Sequence, residues 1–183
     1  MSVRPVPVRL DGPLLVEPDV HLDERGFFVE TWREDEYSRL GIVETMVQHN
    51  QSRSTRGTIR GMHFHAGSGV SKLVRCARGK IVDVLVDMRT NSPTFGEWEA
   101  YELDDESQRT LYAPVGFGHG FCVISDVADV VYQQSAYYSP EVERGFSPFD
   151  PAVGIDWRVP EGERIVSDRD LGAPLLAEVV GRP

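Results

Sequence analysis

The chain has 183 residues, 40% hydrophobic and 26% charged, with two cysteines and a formal net charge of −10. That size suits one domain, residues 1–183, too large to need staples and too small to divide comfortably. No apolar run approaches the roughly 20 residues that span a bilayer, and so acidic a total excludes a nucleic-acid backbone as partner, since backbone phosphates are held by basic patches.

A small anion is still allowed, because a few cations inside one cleft hold a phosphate whatever the total charge. The opening Met1-Ser-Val-Arg-Pro-Val-Pro lacks the continuous apolar segment of a signal peptide, so a cytoplasmic protein with no membrane partner is expected. Residues 14–18 read as a strand or extended arm ended by proline. Asp23-Glu-Arg-Gly is turn-like, and the following Phe-Phe-Val-Glu-Thr-Trp is β-prone. Residues 33–40, rich in Glu, Asp and Arg and followed by Gly41, predict a short surface helix with a glycine cap. Residues 46–52 predict a strand carrying Gln48, His49 and Asn50. Residues 66–71 are a loop, 72–76 return to β character, and 80–88 are the clearest strand in the sequence. Further strands are predicted at 98–103, 109–112, 120–125 and 128–138, and the tail from 147 is turn-rich, with a last helical turn or strand at 175–180. Short strands at close spacing with Gly and Pro between them indicate a sandwich or barrel. Cys76 and Cys122 lie in apolar stretches and read as buried, reduced thiols.

The stretch Thr58-Ile-Arg-Gly-Met-His-Phe-His65 organises the chemistry. On a strand His63 and His65 point to one face and Arg60 to the other. Gly61 marks a bulge, which would re-aim its neighbours and bring a guanidinium and an imidazole into one cavity. A second histidine context, Pro114-Val-Gly-Phe-Gly-His119, lies downstream. The pair of motifs resembles the cupin superfamily, whose double-stranded β-helix often gathers such histidines around a metal. That resemblance makes His63, His65 and His119 a candidate three-histidine site. The glutamate usual after the His-x-His pair is missing, however, and Lys72 lies in that region, where a cation repels a metal ion; no metal and no cofactor is expected.

A narrower resemblance covers residues 23–175. Its marks are Asp-Glu-Arg-Gly-Phe-Phe-Val-Glu at 23–30, Gln-His-Asn-Gln-Ser at 48–52, Arg-Gly-Met-His-Phe at 60–64 and Lys-Leu-Val-Arg at 72–75. Asp-Met-Arg-Thr-Asn-Ser-Pro-Thr-Phe-Gly at 87–96, Pro-Val-Gly-Phe-Gly-His-Gly-Phe at 114–121, Tyr-Tyr-Ser-Pro at 137–140, Gly-Ile-Asp-Trp at 154–157 and Ser-Asp-Arg-Asp at 167–170 complete the series. In this order they are similar to the dTDP-4-dehydrorhamnose 3,5-epimerase family. The resemblance implies an all-β, cupin-type jelly roll with a few short peripheral helices. It implies an isomerase that inverts C3 and C5 of a dTDP-4-keto-6-deoxyhexose in deoxysugar, rhamnose-type biosynthesis.

Inversion beside a ketone needs a base on one face, an acid on the other and a positive group near the enolate oxygen. By the resemblance His63 matches the base, Asp170 the carboxylate that orients it, Tyr132 the proton donor and Lys72 the enolate stabiliser. Arg25, Glu30, Gln48, His49, Asn50, Arg60, His119, Glu143 and Arg169 are implied contacts to nucleotide or sugar. Phe28 and Tyr138 are implied to stack on thymine, Phe28 across a homodimer whose N-terminal strands exchange. The chain departs from the family pattern at His49 for an aspartate, His65 for a glutamine, Arg169 for a lysine and Pro148-Phe149-Asp150 for a tryptophan-containing turn, and its loop before Lys72 is one residue shorter. These positions surround the acid–base set and leave the exact sugar open. Three other readings stand beside the leading one: an epimerase inverting only C3 or only C5, a metal-dependent cupin enzyme on the three histidines, and a sugar-nucleotide binding jelly roll without catalysis.

Overall fold

The computed structural model describes residues 2–180, so the expected bounds of 1–183 reach past the described residues at both ends. Strands dominate it: β1 (Val3–Val6), β2 (Leu14–Pro18), β3 (Val20–Asp23), β4 (Gly26–Val29), helix α1 (Glu34–Arg39), β5 (Gln48–Thr55), β6 (Thr58–His65) and β7 (Lys72–Arg78). β8 (Lys80–Asp87), β9 (Trp98–Asp104), β10 (Thr110–Ala113), β11 (Phe117–Val123), β12 (Val127–Gln134) and β13 (Glu143–Gly145) follow. Then come β14 (Ile165–Val166), α2 (Asp168–Leu171) and α3 (Leu176–Val179).

One sheet runs β1-β2-β10-β7-β12-β5 and the other β13-β6-β11-β8-β9, with β14 on β6; β3 and β4 form a separate hairpin. The two sheets enclose a core that includes Val74, Ile81, Leu85, Leu111, Phe121 and Val130. A second core lies outside the second sheet, where Val82, Val84 and Val86 of β8 meet Phe146, Trp157 and Leu176 of the tail. β8 is therefore covered on both faces, which explains why it reads as a nearly unbroken apolar run rather than an alternating one. A third, smaller core packs Tyr37 of α1 on Val16, Leu73 and Tyr112.

Several boundaries move from expectation. β5 runs to Thr55 instead of starting at 46, because its ladder to β12 continues as far as the Val127↔Thr55 pair. β12 ends at Gln134, short of the predicted 138. β11 begins at Phe117, inside a glycine-rich stretch whose composition had delayed its predicted start. β4 stops at Val29, and Trp32 turns to pack on Tyr37 with ring centroids 4.6 Å apart. α1 follows its prediction closely, with Gly41 at φ +95° beyond its end, the left-handed position that favours glycine. The 175–180 segment is helical, and β1, β13, β14 and α2 are short elements that composition did not reveal. Cys76 and Cys122 are buried and unpaired. Among the described residues no helix is long and apolar enough to cross a membrane.

Candidate active site

The site begins where two glycines let two strands touch. Gly61 on β6 sits at φ +122°, and a Cβ there would lie 2.6 Å from Gly120 Cα and 2.8 Å from the His119 carbonyl oxygen. A Cβ on Gly120 would stand 2.7 Å from Met62 Sδ. Both approaches are too close for any side chain, so β6 and β11 pass backbone to backbone. The ladder between them shifts register between His119 and Phe121, while His119 stays paired with His63. The bulge has the consequence read from Gly61: Arg60 and His63, three residues apart, both line one cavity of about 680 Å³.

Asp170 reaches His63 from 107 residues away, its Oδ1 2.8 Å from Nε2. The other oxygen, Oδ2, accepts the Gly61 N–H at 3.3 Å. Three local devices place this carboxylate. β14 pairs in parallel with the start of β6 (Ile165↔Thr58, Val166↔Ile59). Ser167 then caps α2, its hydroxyl accepting the Asp170 N–H at 3.2 Å. One turn of helix presents Asp170 to the imidazole. Burial pushes the Asp170 carboxyl up, but the His63 hydrogen bond and charge, the Gly61 amide and Ser167 outweigh it and hold it below the ordinary carboxylate range. With Nε2 engaged by a carboxylate, Nδ1 is the ring nitrogen left to take a proton.

Lys72 and Tyr132, neighbours on the paired strands β7 and β12, line the same cavity. The Lys72 ammonium stands 5.9 Å from the Tyr132 ring centroid. Burial lowers the Lys72 pKa, and the charges of Glu143 and Asp83 oppose that fall. Burial and Glu143 raise the Tyr132 pKa, with Arg60 opposing, so the phenol keeps its proton at neutral pH. A protonated phenol is the form that donates.

The polar wall of the cavity is cross-braced. The Tyr138 N–H donates to Gln48 Oε1 at 2.8 Å, and Gln48 Nε2 donates to Asn50 Oδ1 at 3.0 Å. Arg169 Nη2 donates to Glu143 Oε1 at 2.7 Å. His119 lines the cavity too, its Nε2 3.1 Å from Oδ2 of the fully buried Asp83.

Eleven of the fifteen residues singled out from sequence thus face this one cavity: His63, Lys72, Tyr132 and Asp170, with Gln48, Asn50, Arg60, His119, Tyr138, Glu143 and Arg169. Four do not. His49, by strand alternation, lies on the opposite face of β5 from Asn50, against Trp32 and Gln133. Arg25 and Phe28 lie on the β3–β4 hairpin, where Phe28 is 60% exposed and Arg25 pairs with Asp23. Glu30, just beyond that hairpin, is also absent from the cavity wall. Among the described residues no group of three His, Cys, Asp or Glu side chains could hold a metal ion. The three-histidine grouping fails because His65, at the end of β6, borders a separate 220 Å³ cavity with Phe64 and Val70. The sequence reading missed Ser167 and Asp83. Asp83 carried a signal: it is a lone charge in the middle of the apolar run Ile81-Val-Asp-Val-Leu-Val86.

The family model described as dTDP-4-dehydrorhamnose 3,5-epimerase matches residues 7–178. The dTDP-4-dehydrorhamnose 3,5-epimerase of Methanothermobacter thermautotrophicus is 43% identical over 170 residues, 92% of this chain and 92% of that protein. The dTDP-4-dehydrorhamnose 3-epimerase of Streptomyces niveus is 42% identical over 174 residues, 94% of this chain and 83% of its own length. Among solved structures, the dTDP-6-deoxy-D-glucose-3,5-epimerase of Legionella pneumophila in complex with dTDP-4-keto-L-rhamnose superposes with a TM-score of 0.93 at 39% identity, over 97% of this chain and 94% of that one.

Proposed function

This chain belongs to the dTDP-4-dehydrorhamnose 3,5-epimerase family, and on that premise we propose that the side chains gathered in its cavity invert C3 and C5 of a dTDP-4-keto-6-deoxyhexose. The observation that carries this reading is the convergence of an imidazole–carboxylate pair, a protonated phenol and a buried ammonium on one cavity of the cupin-type jelly roll.

His63 takes the proton from the carbon beside the ketone, and Asp170 holds the ring and balances the imidazolium that forms. The electron pair moves onto the C4 oxygen, where the Lys72 ammonium stabilises the enolate. Tyr132 returns a proton to the opposite face. Each centre is inverted by the same exchange: the imidazolium gives its proton to solvent and the phenolate takes one up before the next turn, and the sugar must present C3 and C5 to the pair in turn. Arg60 and Arg169 are the cations for the diphosphate, and Gln48, Asn50, His119, Glu143 and Tyr138 position sugar and nucleoside.

Arg25, Glu30 and Phe28 fit this scheme as a neighbour's contribution. The β3–β4 hairpin exposes Leu22, Phe27 and Phe28 at 80, 54 and 60%, a patch that favours a covered, homodimeric state with exchange of N-terminal segments. One domain across the chain and a cytoplasmic location, supported by the two free buried thiols, belong to the same proposal.

The test is incubation with dTDP-4-keto-6-deoxyglucose in deuterated water, followed by proton NMR of the sugar. Deuterium at C3 and C5 is the expected result. Deuterium at only one of these carbons establishes the second reading, a single-centre epimerase like the 42% identical 3-epimerase of Streptomyces niveus. Deuterium at neither carbon overturns both.

A further inference from the structure

β8 carries a carboxylate where its pattern calls for an apolar residue. Asp83 is fully buried and lies on the face of β8 that Ile81 and Leu85 present to the inter-sheet core. An unpaired carboxylate in such a place is costly. Its compensation is narrow: Oδ2 meets His119 Nε2 at 3.1 Å, while Oδ1, although 3.0 Å from the same nitrogen, makes no hydrogen bond of proper geometry. His119 is in turn the cross-strand partner of His63. Two imidazoles therefore stand side by side on the cavity floor, each tethered through Nε2 to a buried carboxylate, Asp170 from α2 and Asp83 from β8.

We propose that Asp83 is a positioning residue for the epimerase reaction: it fixes His119 in the Nε2–H tautomer, so that Nδ1 serves the sugar as an acceptor, and it places the second negative charge that keeps the Lys72 ammonium charged in its enclosed site. The proposal rests on the reading of the cavity as an epimerase site. A carboxylate cannot donate, so a neutral imidazole that hydrogen-bonds to it through Nε2 must carry its proton there. The charge argument follows from what surrounds Lys72. Glu143 on β13 and Asp83 on β8 are the two carboxylates whose charges act on it; Tyr132 on β12 and His65 on β6 stand beside it, and Arg60, His63, His119, Arg169 and Asp170 line the same cavity. Glu143 already pairs with Arg169 at 2.7 Å. Among the described residues Asp83 pairs with His119 and with no Lys or Arg.

The experiment is Asp83→Asn, which keeps shape and removes charge, assayed by deuterium incorporation from pH 6 to 10 beside the wild type. Expected are a kcat lower by roughly ten- to a hundredfold, the scale of losing a group that orients a site residue, a KM within about threefold, and an alkaline limb displaced to lower pH. The sign is fixed: the ammonium is the working form, Asp83 favours it, and its loss lets Lys72 give up its proton sooner. A kcat and a limb like those of the wild type overturn the proposal. If Asp83→Asn does not fold, nitrogen-15 NMR of the wild-type imidazoles decides, because it reads the tautomer directly: His119 protonated at Nε2 supports the proposal, and protonated only at Nδ1 overturns it. Failure of the wild type to exchange deuterium at all is a different result, and it removes the epimerase reading itself.

Discussion

Asp170→Asn tests the acid–base pair with the least disturbance of shape. Asp170 accepts with both oxygens, from His63 Nε2 at 2.8 Å and from the Gly61 N–H at 3.3 Å. An amide has one acceptor oxygen, so one of these N–H groups must then face an NH₂. Either the Gly61 amide loses its partner, or the imidazole turns to the tautomer that offers Nε2 as acceptor and buries the basic electron pair needed at Nδ1. The charge term has a definite scale. The His63 side chain is 25% exposed and that of Asp170 8%, so the pair is largely out of water, and a unit charge pair about 4 Å apart at an effective dielectric constant of ~20 interacts by about 4 kcal/mol. Allowing for the water that still reaches His63, about 3–4 kcal/mol of support for the imidazolium is lost. That corresponds to a drop in turnover of roughly a hundred- to a thousandfold. The deuterium-incorporation assay at substrate saturation measures it, with KM expected to stay within about threefold because neither oxygen is needed to hold the nucleotide. A variant turning over within threefold of the wild type, with an unchanged melting temperature, would refute the assignment of His63 as a base held by Asp170.

Tyr132→Phe removes the donor and leaves the base, so net inversion should fall by about a hundredfold, while deuterium still enters substrate recovered with its original configuration; equal loss of exchange and inversion would contradict separate faces. Gly61→Ala forces a Cβ to within 2.6 Å of Gly120 Cα at φ +122°. It should cost at least about 3 kcal/mol, a fall in melting temperature of roughly 6–12 °C by calorimetry. Asp87, fully buried, accepts from Arg89 Nε at 2.9 Å, Ser92 Oγ at 2.6 Å and Thr94 Oγ1 at 2.7 Å. Burial works against its charge, but these bonds hold its carboxyl far below the ordinary 3.8. Its stabilisation is therefore complete above about pH 4 and is lost as the pH falls below it, so Asp87→Asn should melt about 6–12 °C lower at pH 7, for a loss of roughly 3 kcal/mol, and the gap should narrow in strong acid. Phe28→Ala should raise KM up to about tenfold with kcat little changed, the worth of one aromatic stack; an unaltered KM removes Phe28 from the nucleotide.

What could be read from the sequence divides along physical lines. β8 was legible as an apolar run and β6 through its apolar and β-branched residues, both local signals, and Gly61 announced a bulge because only a residue without Cβ fits such an approach. α1 was legible through its charges and its closing glycine. The start of β11 was not, since glycines that weaken strand propensity are there required by contact with β6, a cause that lies elsewhere in the chain. β14 and α2 are too short to show any period. The position of Asp170 near His63 came from motif resemblance alone, and nothing local foretold it. Gln48-His-Asn50 reads as one cluster in the sequence, whereas consecutive residues of a strand point to opposite faces, so Gln48 and Asn50 line the cavity and His49 does not. Arg25, Phe28 and Glu30 were identified through the family pattern, and in the single chain they stand away from the cavity.

The 107-residue separation of His63 from its carboxylate has a consequence for how the protein becomes competent. The imidazole sits on a strand in the body of the barrel, whereas its anchor arrives on the closing stretch, laced to the edge of β6 by two strand residues and one helical turn. Spectroscopic signals of sheet formation can thus be complete in molecules that still have an untethered histidine. During refolding, or after proteolytic nicking between residues 146 and 165, competence for catalysis follows the docking of that last lace, so enzymatic recovery is a sharper gauge of completed assembly than any measure of β content.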